Sequence, residues 1–94
     1  MEDSAGKTES KCITFRYSVI PLTQVAVVRA TGSAGLPLFL VEMEIWKSQH
    51  DRQAITARFD LDKGIFIDVF DDQDVMYQLR RVELTVADIL SNNF

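Results

Sequence analysis

The sequence predicts an α+β domain with a mostly antiparallel sheet of about five strands and a C-terminal helical segment packed on one face of it. Several runs alternate apolar and polar side chains, as half-buried strands do, and short turn-rich connections separate them. A longer run of apolar residues at helical spacing appears beyond residue 70. The chain has 94 residues, 47% of them hydrophobic and 26% charged, which suits one domain with a core of its own.

Composition divides the chain into a short N-terminal segment and a folded remainder. Residues 1–11 are mostly small or charged, so we expect a flexible tail there and a single α+β domain over residues 12–94. The start does not resemble a secretory signal, and no stretch is long and apolar enough to span a bilayer. The cytoplasm is therefore the expected compartment, and no membrane is expected as a partner.

The first two strands are predicted on either side of a proline. Apolar side chains alternate with polar ones over residues 13–19, and Pro21 ends that run because it has no backbone N–H to donate. A second β-rich run covers residues 24–31. It stops at a flexible connection over residues 32–35, whose glycines can take positive φ.

Residues 36–47 fit two interpretations. Leu38, Val41 and Ile45 would share one face of a helix. Strict alternation over residues 41–45 instead favours a long strand, which is the structure we predict. The core-facing side chains of that strand would be Phe39, Val41, Met43 and Ile45.

A hairpin is predicted next. Alternation resumes over residues 55–61, and the turn at residues 62–64, which ends in glycine, leads into a return strand. With this loop length, Ile65 faces the core, whereas Phe66 and Phe70 lie on the outer side of the sheet.

The C-terminal segment is predicted to be helical. Asp71 and Asp72 can cap its start, because their side-chain oxygens accept N–H groups of the first turn. The apolar residues at roughly helical spacing beyond them are Val75, Leu79, Val82, Val86 and Ile89. Because β-branched residues weaken a single long helix, a short helix, a strand over residues 81–86 and a last helical turn form the alternative.

Large apolar side chains are predicted on both faces of the sheet, although one helix can cover only one of them. The outer face would carry Leu38, Leu40, Trp46, Phe66 and Phe70. Each would contribute roughly 1.5–3 kcal/mol if fully buried, so exposure of all five would forgo several kcal/mol. Either the sheet curls over the C-terminal segment, or a second chain covers the face as a homodimer or as a different protein. These five residues are the candidate partner-binding surface.

Acidic residues are concentrated between residues 60 and 74. This window holds six acids and one base, Lys63, so its charge of −5 exceeds the −4 of the whole chain. Such a concentration of negative charge could attract a basic partner. Converging carboxylates could also bind a hard cation, although the spacing lacks the glycine and the distal glutamate of an EF-hand loop. The candidate docking or ion-binding residues are Asp68, Asp71, Asp72 and Asp74.

Few side chains suit catalysis. His50 lies in a polar loop and Cys12 is the only cysteine, and neither belongs to a nucleophile motif or a Cys/His zinc site. No catalytic residue, metal or cofactor is predicted. The net charge of −4 argues against a nucleic acid as partner, because phosphate binding needs several basic groups on one face.

Two functions are compatible with these patterns. The first is a non-catalytic protein-interaction module, a small adaptor or regulatory protein that self-associates through the apolar face of its sheet. The alternative is a small enzyme or a ligand- or ion-binding domain that uses the acidic cluster at residues 71–74.

Overall fold

The computed structural model describes residues 9–19, 24–48 and 50–94. They form a five-stranded antiparallel sheet, in which each strand pairs with the next one along the chain, and one C-terminal helix. The predicted α+β fold is confirmed. The elements are β1 (Ser10–Val19), β2 (Gln24–Ser33), β3 (Leu38–Trp46), β4 (Arg52–Asp60), β5 (Ile65–Phe66) and α1 (Gln73–Asn93).

Strand β1 begins at Ser10, earlier than the predicted start at Cys12. Lys11 explains the difference, because its Nζ donates a hydrogen bond to the carbonyl of Asn93 at 2.8 Å and lies 5.4 Å from the centre of the Phe94 ring. A cation at the carboxyl end of a helix is electrostatically favourable, so this contact draws the start of the strand to the sheet. The rest of the predicted tail, residues 1–8, and the predicted break at Pro21 lie outside the described residues.

Residues 38–46 form a strand, as the strict alternation predicted, and not a helix. The side chains of Phe39, Val41, Met43 and Ile45 are all buried, and those between them are exposed or partly exposed. Burial of the predicted core side of β3 is therefore confirmed.

The β4–β5 hairpin has a different register from the predicted one. Asp60 pairs with Ile65 and Phe59 pairs with Phe66, so the loop comprises residues 61–64 and ends at Gly64, whose φ is 72°. A change of one residue in loop length moves every following side chain to the other face. Ile65 is therefore on the outer face and Phe66 is in the core, and the prediction for both was wrong.

The C-terminal segment is one unbroken helix, so the alternative with a strand over residues 81–86 is wrong. Asp72 is its N-cap, and the carboxylate accepts hydrogen bonds from the backbone N–H groups of Asp74 and Val75. The buried stripe of the helix comprises Val75, Leu79, Val82, Val86 and Leu90. Packing of this stripe against the sheet outweighs the weak helix propensity of its valines.

Helix α1 crosses one face of the sheet from end to end and runs antiparallel to β3. At its start, Asp72 forms an ion pair with Lys47, which follows β3. At its end, the Phe94 ring meets the Phe39 ring edge-on, with 4.7 Å between the centroids. The apolar core lies between the helix and this inner face of the sheet. The opposite side, which we call the outer face, is covered by no element of the described chain.

Candidate interaction surface

Three aliphatic side chains lie together at one end of the outer face. Leu38 and Ile65 flank Asp60 in one cross-strand row, and Leu40 lies on the same side of β3 as Leu38. Leu38 is 50% exposed, Leu40 is 47% exposed and Ile65 is 38% exposed. We call these three residues the aliphatic patch. Asp60 lies between Leu38 and Ile65, and Arg58 lies beside Leu40, so the patch is a group of exposed apolar side chains interspersed with charged ones.

The centre of the outer face is polar and carries both signs of charge. Arg29 and Glu42 pair across β2 and β3 with 3.6 Å between Nη1 and Oε1, and Thr14 and Thr56 continue the row on the neighbouring strands. Next to this row is a shallow depression of about 340 Å³, whose wall includes Val27. Strands β2 and β3 pair only through residues 28–31 and 40–43, and the depression lies next to the end of this paired stretch. The face therefore combines an aliphatic end with a charged, hydrogen-bonding centre.

Trp46 lies at the other end of β3 and is half-buried. Its Nε1 donates to Glu44 Oε1 at 2.9 Å, and the Arg52 guanidinium stacks on the ring at 4.0 Å. The Gln78 side chain accepts from the backbone N–H of Trp46 and donates to its carbonyl, which ties this strand end to the helix. These contacts thus hold Trp46 at the margin of the outer face.

Phe66 and Phe70 do not lie on the outer face, in contrast to the prediction. Phe66 is 1% exposed, and its ring meets Phe59 edge-on at 5.0 Å. Its backbone N–H donates to Glu83 Oε2 at 2.8 Å, which joins β5 to the helix. Phe70 packs partly buried against the core, and its N–H donates to Met76 Sδ at 3.3 Å. Of the five candidate partner-binding residues, Leu38 and Leu40 form part of the patch and Trp46 borders the face.

The sequence reasoning missed Ile65 and Val27 as outer-face residues. Val27 is two residues before Arg29, which points outward, so strand alternation alone could have placed it. Ile65 had no such signal, because its side depends on the length of a loop. Two large apolar side chains, Tyr77 and Leu84, are also exposed on the solvent side of α1.

The four acidic candidates do not converge on one point. Asp68 pairs with Arg58 and Asp72 pairs with Lys47, whereas the side chains of Asp71 and Asp74 are exposed. In the described ranges, no group of His, Cys, Asp and Glu side chains has a geometry that could hold a metal ion. Two of the acids are thus used in holding β4 and the start of the helix. A role for the cluster in docking a basic partner stays a prediction.

The two ion pairs shift the pKa values of their members. The hydrogen bond from Lys47 lowers the pKa of Asp72, and the same bond raises the pKa of Lys47. Asp68 accepts from Arg58 Nε at 3.0 Å and from the Arg58 backbone N–H at 2.7 Å, and these bonds lower its pKa below the ordinary 3.8. Both carboxylates therefore stay ionised to lower pH in the folded chain than in the unfolded one.

We expect Asp68→Asn to destabilise the protein at pH 7 by more than it does in acid. Because the pKa of Asp68 is lowered on folding, the ionised carboxylate stabilises the folded state above pH 3.8, its ordinary pKa, and this contribution is lost as pH falls through the lowered pKa. Urea unfolding at a series of pH values should show the wild-type and Asn curves converging in acid. Arg58→Gln should abolish most of the difference at pH 7, and a gap that is constant with pH would contradict the assignment.

A cleft of about 250 Å³ opens on the helix side, between the end of β1, the end of β3 and α1. The lining residues are Tyr17, Ser18, Trp46, Gln78, Arg81, Val82 and Thr85. Tyr17 Oη is buried and has no hydrogen-bond partner among the described residues. Burial raises the pKa of Tyr17, against the opposing charge of Arg81. The described lining residues include neither an acid nor a histidine.

The two side chains considered for catalysis lie apart from this cleft. His50 is exposed, and its backbone N–H donates to Ser48 Oγ at 3.3 Å. Cys12 is exposed on β1. No helix in the described part of the chain is long and apolar enough to cross a membrane.

A scan against protein-family models, a search of the curated proteins and a search of the solved structures each found no match.

Proposed function

We propose that this chain is a non-catalytic protein-interaction module, a small adaptor or regulatory protein that associates with a second copy through the outer face of its sheet. The exposure of the aliphatic patch carries the proposal. Leu38, Leu40 and Ile65 lie on the one sheet face that no described element covers. The cytoplasm is the proposed location, since a single exposed cysteine, Cys12, stays reduced there.

The charges of the outer face suit a symmetric partner. Arg29 and Arg58 alternate with Glu42 and Asp60 on the same side of the sheet. In a twofold dimer the same patch meets itself, so a face with both signs can place opposite charges across the interface. Neither a nucleic acid nor a membrane is proposed as the partner, because this face has no excess of positive charge.

The buried area sets the strength of this association. About half of the surface of each patch side chain is already buried, so covering the rest of the three would contribute roughly 2–4 kcal/mol per copy. Part of this gain offsets the loss of translational and rotational freedom on association. We therefore expect a reversible dimer and not an obligate one.

Leu40→Glu should weaken self-association at least tenfold, because it places a charge inside the patch without disturbing the core. The matched control is Leu84→Glu, which adds the same charge at a helix position that is 85% exposed. Sedimentation equilibrium should show a dissociation constant raised about tenfold or more, or about 1.4 kcal/mol, for the first variant and an unchanged one for the second. Equal behaviour of the two variants would refute the outer-face proposal.

A further inference from the structure

Strand β1 leaves one edge of the sheet open. It pairs with β2 at every position from Ser10 to Val19, with no bulge, and no strand of the described chain lies on its other side. Along this edge, the backbone N–H and C=O groups that point away from β2 have no strand partner among the described residues. Such an edge is a template for another strand.

At the opposite edge of the sheet, β5 and the residues after it cover only residues 58–60 of β4. Residues 52–57 of β4 have no strand on their far side among the described residues, so β1 is the longer of the two open edges. Beyond the short β5, the backbone N–H of Ile67 donates to the carbonyl of Arg58 at 2.9 Å. The Asp68 carboxylate accepts the Arg58 N–H at 2.7 Å, in the place of a strand carbonyl. No comparable side-chain cap appears on the outer edge of β1 in the described residues.

The core is also incompletely packed along β1. Ile13, Phe15 and Tyr17 point to the helix side but remain partly exposed, whereas Val28 and Val41 on the next two strands are fully buried. The cleft beside Tyr17 lies along the same margin, and the Tyr17 hydroxyl within it lacks a partner among the described residues. Helix α1 therefore covers the middle of the sheet and leaves the inner side of this edge incompletely packed.

We propose that β1 pairs with β1 of a second copy, antiparallel about a twofold axis perpendicular to the sheet, with Phe15 opposite the partner's Phe15. The two sheets then form one continuous ten-stranded sheet with both helices on the same face. In this register Ile13 lies opposite the partner's Tyr17, so the three half-buried side chains of each copy form an apolar seam.

The outer side of the strand allows this register. Thr14 lies opposite the partner's Arg16, and Cys12 lies opposite the partner's Ser18. No like charges are directly opposed, because each Arg16 faces a threonine. A register centred on Arg16 would set the two guanidinium groups against each other, which disfavours it.

The size of the contact matches a reversible dimer. A ten-residue strand is about 33 Å long, and the molecule is 19 Å through its thinnest dimension, so the edge offers at most about 600 Å² per copy. The total is therefore at most about 1,200 Å², which is the lower limit of stable interfaces. Main-chain hydrogen bonds along the strand and the aromatic seam supply the specificity.

This edge and the aliphatic patch use different residues, so the two interactions are separable. An edge dimer places its two outer faces side by side on the same side of one sheet. It therefore carries two separate copies of the aliphatic patch, one on each side of the β1 seam, and it does not depend on the proposed function.

Disulfide trapping tests the proposed register. Ser18→Cys places a second thiol opposite the partner's Cys12, within the Cα separation that a disulfide spans. Within one copy the two thiols are about 20 Å apart along the strand and cannot bridge. Mild oxidation should convert most of the protein into a covalent dimer on a non-reducing gel.

The matched control is Thr14→Cys, whose new thiol faces the partner's Arg16 and lies about 8 Å from its own symmetry mate. We expect it to remain monomeric on the gel. Trapping of the Thr14→Cys variant, equal trapping of both variants, or trapping of neither would overturn the pairing.

A second variant tests the edge without a new thiol. Thr14→Arg puts a guanidinium opposite the partner's Arg16, so edge dimerisation should weaken about tenfold. The new side chain also lies opposite Arg29 of its own chain, so urea unfolding must show that the variant is folded under the conditions of the assay. Trapping of Ser18→Cys should survive the addition of Leu40→Glu. Loss of trapping in that double variant would overturn the edge assignment, whereas unchanged sedimentation of Leu40→Glu alone would overturn only the outer-face proposal.

Discussion

Replacement of Phe66 by alanine should lower the free energy of unfolding by about 3–5 kcal/mol, which approaches the whole stability of many small domains. The ring is 1% exposed and packs edge-on against Phe59, so its loss leaves a cavity between β5, β4 and the helix. The backbone N–H of Phe66 donates a hydrogen bond to Glu83, and its carbonyl accepts one from Arg80. These two bonds hold the backbone in place, so the cavity cannot readily close. Urea unfolding followed by circular dichroism measures the change.

The neighbouring residue provides the control. Ile65→Ala removes a comparable aliphatic side chain from the outer face, where it is 38% exposed, and should cost well under half as much as the Phe66 change. If Ile65→Ala lowered the free energy of unfolding by more than Phe66→Ala did, the result would instead support the predicted three-residue loop, in which Phe66 lies on the outer face.

Gly32→Ala should destabilise the protein by about 1–3 kcal/mol, as overpacking of a tight core does. A methyl group at Gly32 would overlap the Phe39 ring, which lies against the backbone there. That ring cannot withdraw freely, because it is buried and meets Phe94 edge-on. Thermal and urea unfolding should agree on the loss.

A double variant separates this clash from a general intolerance of substitution. Leucine at position 39 is smaller than phenylalanine, so Gly32→Ala should cost less in a Phe39→Leu background than in the wild type. Additive effects of the two changes would mean that the methyl group and the ring do not compete for the same space.

Local patterns were sufficient to predict most elements of this fold. Alternation placed the core side of β3, because strand side chains point to opposite faces whatever the rest of the chain does. Asp72 was predicted as a cap from its chemistry alone, and it accepts the N–H groups of the first turn. The register of β5 was mispredicted because loops of three and four residues that end at Gly64 are both compatible with the sequence, and only packing of Phe66 on Phe59 selects one.

Part of the candidate surface was also predictable from local sequence patterns. Leu38 and Leu40 follow from strand alternation, and both are half-exposed on the outer face. The Arg58–Asp68 pair and the packing of α1 beside β1 depend on contacts distant in sequence, which no local pattern reports. The incomplete packing of the core beside Tyr17 also depends on such contacts, so the sequence did not predict it.

The most direct test of the central claim, that the outer face of the sheet binds a second copy, is a concentration series of amide NMR spectra. Between about 10 μM and about 1 mM, a range that covers the dissociation constants of weak reversible dimers, amides of residues 38–42 and 56–60 should shift together along one binding curve. Amides around Tyr77 and Leu84 on the solvent side of α1 should stay fixed, and those of β1 report separately on edge pairing. Spectra that do not change with concentration, or shifts confined to the helix, would contradict the claim.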